Sequence, residues 1–106
     1  MLLEYRQYRC HPGRRADWVR YMEEVIIPFQ VSRGMVIVGT FVDEEDPDQY
    51  IWMRRFDDEA HREKLHEAVH ATDQWKDIIS PRIPDMVIHE EIKVTRLVPT
   101  SLSMLR

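Results

Sequence analysis

The first segment of the chain alternates its side chains in the way that a β-strand does. Over Leu2–Arg9, successive residues would point to opposite faces, because the side-chain period of a strand is two. The two faces carry Leu3, Tyr5 and Gln7 on one side and Glu4, Arg6 and Tyr8 on the other. Since each face mixes apolar and polar groups, we expect both to be partly covered. The turn sequence His11-Pro12-Gly13 ends the strand.

From Arg14 the spacing of apolar residues changes to that of a helix. The apolar residues recur on one face of an amphipathic helix, and the charged residues lie on its other faces. The apolar stripe consists of Trp18, Met22, Val25 and Phe29, which we expect to be core residues. Pro28 is predicted to bend or end this helix, because its nitrogen cannot donate the helical hydrogen bond. Gly34 is a residue at which the helix can end.

Two short segments on either side of an acidic turn predict a hairpin. Met35–Val42 is apolar and rich in β-branched residues, and Gln49–Phe56 is the returning strand. Between them, Asp43–Asp48 carries five acidic residues and one proline, which is typical of a solvated turn.

The second half of the chain predicts another helix, a short helical piece and a long final strand. The acidic run Asp57–Glu59 favours a helix start, and the helix extends to about His70. Thr72 or Asp73 can cap the short piece that carries Trp75, a further core residue, and Pro81 and Pro84 are predicted to end helical structure. Met86–Val98 alternates again, which predicts a strand that is unusually long for so small a sheet.

The order of elements is β-α-β-β-α-β, which predicts an α+β fold of ferredoxin-like topology. Its 106 residues suit one domain, residues 1–106, with a four-stranded antiparallel sheet and two helices on one face. The uncovered face is predicted to carry Glu4, Arg6, Tyr8, Tyr50 or Trp52, Arg54 and Phe56. Because such a face needs a partner, we expect a homodimer that packs sheet against sheet, with the last strand reaching across.

Charge and composition exclude several classes of protein. The net charge is −4 and no basic cluster is visible, so we do not expect a nucleic-acid partner. No segment has the roughly 20 apolar residues of a membrane span, and the first residues do not resemble a signal peptide, so no membrane association is expected. The single cysteine, Cys10, excludes an internal disulfide and suits a reducing cytoplasm.

Several short segments resemble the NIPSNAP family in order and spacing. They are Leu3–Tyr8 followed by Pro12-Gly13, Val38-Gly39, Phe56-Asp57 with Arg62-Glu63, Thr72–Lys76 and Leu97–Thr100. The resemblance implies a dimeric α+β barrel, a superfamily that also contains cofactor-free monooxygenases of the antibiotic-biosynthesis type and haem-degrading enzymes. The sequence departs from the family at Phe56, where tyrosine is common, and at Arg54, where an aromatic residue is common.

The segment His66-Glu67-Ala68-Val69-His70 matches the H-E-x-x-H pattern of catalytic zinc sites. Such a site needs a third ligand, and only His61 or His89 could be suggested. The family resemblance places this segment on an outer helix with no cleft beside it. We therefore interpret it as a solvated helix face and expect no metal.

The predicted uncovered sheet face holds the candidate ligand site. Its residues are Glu4, Arg6, Tyr8, Trp52, Arg54 and Phe56, with His89 as a possible base if its strand position points inward. One interpretation is an ion pair that satisfies itself at the dimer interface. The other is a pocket for a small apolar or aromatic ligand, or a contact with a partner protein. The alternative function is a cofactor-independent monooxygenase acting on an electron-rich aromatic substrate. Neither function requires a cofactor.

Overall fold

Four antiparallel strands form one sheet in the order β2-β3-β1-β4 in the computed structural model, which describes residues 1–106. The strands are β1 (Leu2–Arg9), β2 (Val36–Val42), β3 (Gln49–Phe56) and β4 (Lys93–Leu97). Central β1 pairs with β3 so that Glu4 lies opposite Arg54 and Arg6 opposite Trp52. The predicted α+β class and four-stranded antiparallel sheet are confirmed.

Helical segments cover one face of this sheet. They are α1 (Arg15–Tyr21), a π-helical turn (Met22–Ile26), α2 (Ile27–Ser32), α3 (Glu59–His70), a second π-helical turn (Gln74–Ile79) and two 3₁₀ segments (Ser80–Asp85 and His89–Glu91). None of the helices has the length and apolar character that crossing a membrane requires. The apolar stripe of the first helix packs on the sheet, with Trp18, Met22 and Phe29 buried in the core.

The first helix does not end at Pro28, which was predicted to bend or end it, and the helical pattern changes just before this residue. The π-helical turn at Met22–Ile26 precedes it, and α2 then begins with Pro28 in its first turn. A proline is tolerated there because the first N–H groups of a helix have no partner within it. The helix ends at Gly34 as predicted. Its φ of +100° allows the N–H of Met35 to reach the carbonyl of Gln30, at 3.0 Å.

The start of α3 follows the prediction, whereas the prolines after it do not end helical structure. The Asp58 side chain caps α3 by accepting the backbone N–H of His61 at 2.8 Å. Thr72 caps the next piece by accepting the backbone N–H of Trp75 at 3.2 Å. Pro81 and Pro84 both lie within the 3₁₀ segment Ser80–Asp85. Short 3₁₀ pieces accommodate proline because few of their N–H groups are needed as donors.

The predicted long strand Met86–Val98 is wrong. Only Lys93–Leu97 pairs as a strand, and Val87 makes a single isolated bridge with Cys10. The 3₁₀ segment His89–Glu91 interrupts the extended chain between them. The alternation of apolar and polar residues did not reveal this short helical turn, because apolar residues lie on both sides of it.

The two faces of the sheet are the reverse of those predicted. Glu4, Tyr8, Trp52, Arg54 and Phe56 are all buried within the single chain, on the face that the helices cover. The opposite face carries Tyr5, Gln7, Ile51 and Met53, which are only partly buried. Mixed charges and aromatics suggested an uncovered face, but opposite charges that pair with each other can be buried together.

Candidate functional site

A buried ion pair joins the two central strands. Glu4 on β1 and Arg54 on β3 are register partners, and only 2% and 1% of their surfaces are exposed. Arg54 donates from Nε and Nη2 to Glu4 Oε1 at 2.9 and 2.6 Å. Its Nη1 donates to the side-chain oxygen of buried Gln30 at 3.1 Å, which ties α2 to the sheet. Arg54 is therefore fixed in position by three hydrogen bonds.

Three other side chains meet Glu4. Arg6 Nη1 donates to Oε1 at 3.2 Å, and Arg62 Nη1 donates to Oε2 at 3.4 Å. His66 Nε2 lies 3.3 Å from Oε2 and 3.0 Å from Arg54 Nη2. Burial acts to raise the pKa of Glu4, but the His66 contact and the charges of Arg54 and Arg6 outweigh it and hold the pKa well below its ordinary value. Glu4 is therefore ionised at neutral pH.

A cavity of about 220 Å³ lies beside this ion-pair network, between the sheet and the helices. Of the predicted site residues, Arg6, Tyr8, Trp52, Arg54 and His89 line it. Glu4 holds Arg54 and Arg6 but is not part of the wall, and Phe56 packs against His61 and His66 instead. Five predicted residues thus come together, on the opposite face from the one predicted.

The apolar wall of the cavity comes from the helical layer. Its lining includes Trp18, Met22, Ile26, Trp75, Ile83 and Ile92. Trp18, Met22 and Trp75 were expected only as core, yet they also face this space, so all three tryptophans of the chain line it. Arg6 and Arg54 place their guanidinium carbons 5.6 and 4.9 Å from the centre of the Trp52 ring. The cavity therefore combines flat aromatic surfaces with two cations.

The predicted solvated face at His66 and His70 is wrong, because both imidazoles turn toward the sheet. His66 touches the ion pair, and His70 lines the cavity with its ring centre 4.9 Å from that of Trp75. They follow buried Leu65 and Val69, so they share the inner side of α3. Burial, followed by the charges of His66 and Arg54, lowers the pKa of His70 to about 4. No three His, Cys, Asp or Glu side chains converge as metal ligands.

Several lining residues were not predicted to belong to the site. Gln30, Ser80, Ile83, Pro84 and Ile92 line the cavity, and His70 joins them from α3. Ser80, Ile83 and Pro84 belong to the 3₁₀ segment that was expected to be a break. His89 and Pro84 are exposed, whereas Trp52 and Arg54 are buried, so the cavity runs from a surface opening inward to the ion pair.

Comparison with known proteins identifies relatives of this sequence and fold. The NIPSNAP family model matches residues 3–103, and no curated protein matches. A NIPSNAP domain protein from Burkholderia xenovorans is 22% identical, with a TM-score of 0.86 over 97% of this chain and 98% of that one. A NIPSNAP family protein from Agrobacterium tumefaciens is 25% identical, with a TM-score of 0.87 over 99% and 98% of the two chains. An antibiotic biosynthesis monooxygenase is 19% identical, with a TM-score of 0.67 over 94% and 99%.

Proposed function

This chain belongs to the NIPSNAP family, and we propose that it binds a small aromatic or similarly flat apolar molecule in the cavity between its sheet and its helices. The observation that supports this most is a space of about 220 Å³ whose lining includes all three tryptophans. Ligand sites are concave and mainly apolar, with a few fixed polar groups. Arg6, Arg54 and Tyr8 supply those groups here.

The experiment is isothermal titration calorimetry with two bicyclic aromatic probes, 2-naphthoate and 2-naphthamide. Each probe has about 13 non-hydrogen atoms. A binding free energy of about 0.3 kcal/mol per atom then predicts a Kd of about 1 mM or lower for at least one probe. Ser80→Phe places a ring at a half-buried position of the wall and is expected to weaken binding at least tenfold.

Ser101→Phe, in the exposed segment after β4, is the matched control and is expected to bind as the wild type does. If neither probe binds the wild type, the proposed function is wrong. Equal affinity in the wild type and Ser80→Phe would place the ligand somewhere other than this cavity.

We also propose that the chain forms a homodimer through the sheet face that the helices leave uncovered. Support comes from apolar residues on that face, where Val36 and Phe41 are 43% and 53% exposed. Tyr5 and Met53 lie opposite each other at its centre and are partly exposed. Several exposed apolar side chains on one sheet face are typical of an interaction site.

Native mass spectrometry tests the dimer proposal. The wild type is expected to appear as a dimer, and Met53→Glu as a monomer, because the substitution would bury a charge without a partner. Glu63→Lys, on the exposed side of α3, is the control and should leave the dimer intact. A monomeric wild type at micromolar concentration would contradict the proposal.

A cofactor-independent monooxygenase is the second candidate, and the observation that favours it is that two histidines line the cavity. His89 is exposed, whereas the pKa of His70 at about 4 makes it a weak proton acceptor at neutral pH. His89, at an exposed position of the wall, is therefore the candidate base. Oxygen uptake with an electron-rich phenol, lowered about 10²–10⁴-fold by His89→Ala, would support this function. No uptake with any phenol would count against it.

We propose a cytoplasmic location because of Cys10. It is the only cysteine, and it is buried with a free thiol whose pKa burial raises to about 11. A chain without disulfides suits a reducing compartment. Recovery of the protein from a secreted or periplasmic fraction would contradict this location.

A further inference from the structure

We infer that the ligand of this cavity carries an anionic group, most simply a carboxylate, and that Arg6 receives it. The inference rests on the proposed function, since it concerns the chemistry of a ligand in the same cavity. Two observations support it: unused hydrogen-bond donors on Arg6, and an excess of positive charge in the cavity wall.

Two indole N–H groups are buried without a partner. The Nε1 atoms of Trp18 and Trp52 make no hydrogen bond, although both residues line the cavity and are only 1% and 2% exposed. An indole nitrogen can only donate, and a buried donor without an acceptor is costly, by about 1–3 kcal/mol. Both nitrogen atoms are also closed to solvent, so a ligand in the cavity would reach them only if the indole rings moved.

Arg6 retains donors for a ligand. Its Nη1 donates to Glu4 at 3.2 Å and its Nε donates to the Tyr8 hydroxyl at 3.1 Å, while its Nη2 makes no hydrogen bond. A guanidinium has five N–H groups arranged as a fork that matches a carboxylate. Since Tyr8 accepts from Arg6, its own hydroxyl hydrogen is free to donate as well. Arg54, in contrast, uses three nitrogens on Glu4 and Gln30.

Positive charge exceeds negative charge at this end of the cavity. The wall contains Arg6 and Arg54 and no aspartate or glutamate. Glu4, behind the wall, is the carboxylate that both arginines contact. Arg62 also contacts Glu4, but it forms a second ion pair with Glu59, which Arg96 contacts as well. One carboxylate therefore faces two guanidinium groups, and a monoanionic ligand would balance them.

The imidazole of His70 also lines the cavity and adds no positive charge to that of the two arginines. Burial keeps the pKa of His70 at about 4, so its ring is neutral at pH 7. The ligand that fits these features has a flat apolar body against the tryptophans and an oxyanion toward Arg6.

The test compares 2-naphthoate with 2-naphthamide, which has the same shape and no charge, by isothermal titration calorimetry at pH 7. The acid is expected to bind the wild type at least tenfold more tightly than the amide, because charge-assisted hydrogen bonds are about twice as strong as neutral ones. Arg6→Gln should bring the acid to within about threefold of the amide and leave the amide affinity unchanged. Arg20→Gln, on the exposed side of α1 with 66% of the side chain exposed, is the control and should preserve the tenfold difference.

The outcomes separate this inference from the proposed function. Equal affinity of the acid and the amide for the wild type would overturn the anionic ligand while leaving the cavity as a binding site. Binding of neither probe would overturn both. If Arg6→Gln does not fold, the ratio of acid affinity to amide affinity in the wild type decides whether the ligand is anionic. Arg6→Lys keeps the charge but loses the forked guanidinium, and it should show an intermediate ratio.

Discussion

Replacing Glu4 with glutamine is expected to lower the free energy of unfolding by about 3–5 kcal/mol. Glu4 is the anion that Arg54 contacts, and Arg54 is 1% exposed. Without the carboxylate, Arg54 would remain buried with no negative partner, and Arg6 would lie beside it as a second positive charge. Removing one member of a buried pair is costly mainly because the other member stays behind.

Urea denaturation of the wild type and Glu4→Gln at pH 7 measures this loss. Glu63→Gln, at an exposed position of α3 with no ion pair, is the matched control and should change the free energy of unfolding by less than about 0.5 kcal/mol. The double substitution Glu4→Leu with Arg54→Met should be more stable than Glu4→Gln alone, since it removes both charges. A loss below about 1 kcal/mol for Glu4→Gln would mean that the pair is not buried as described.

Stability is also expected to fall as the pH drops from about 6.5 to about 4, because of His70. Burial lowers the pKa of His70 from 6.5 to about 4, so in this window the unfolded chain takes up a proton that the folded chain does not. Proton uptake by the unfolded state favours unfolding, and the penalty is constant below pH 4. The shift corresponds to an upper bound on the order of 3 kcal/mol.

The measurement is the free energy of unfolding at several pH values for the wild type and His70→Phe. The variant is expected to lose less stability than the wild type between pH 6.5 and pH 4, and Gln74→Ala, at an exposed position, should follow the wild type. Glu4 titrates in a lower window. Its folded pKa is depressed from 4.5, so its contribution to stability is present above that pH and is lost only below it. Parallel curves for the wild type and His70→Phe would contradict a buried neutral imidazole.

Local patterns predicted the elements of this fold well because each depends on nearby residues. The bounds of Leu2–Arg9 and Gln49–Phe56 agree with the structure, since alternation and flanking turn residues define a strand within a few positions. The NIPSNAP resemblance is confirmed by the match over residues 3–103. The final strand was too long because the turn at His89–Glu91 interrupts an otherwise alternating segment.

The candidate site could be predicted only in part, because its position depends on long-range packing. A period of two shows that Glu4, Arg6 and Tyr8 share a face, but it does not show which face the helices cover. The signal that could have resolved this was the pairing of Glu4 with Arg54 across β1 and β3, which depends on register between distant segments. His66 and His70 could have been assigned to the inner side of α3 from their positions beside Leu65 and Val69.

The most direct test of the cavity as the ligand site is the ¹H–¹⁵N correlation spectrum of the labelled protein with and without 2-naphthoate. The three tryptophans give three indole cross-peaks, and all three residues line the cavity. We predict that the indole peaks of Trp18 and Trp52 move on addition of the probe, while the side-chain amide peaks of Gln7, on the uncovered face, do not. Movement of the Gln7 side-chain amide peaks with stationary indole peaks would show that the probe binds the uncovered face and would contradict the cavity as the ligand site.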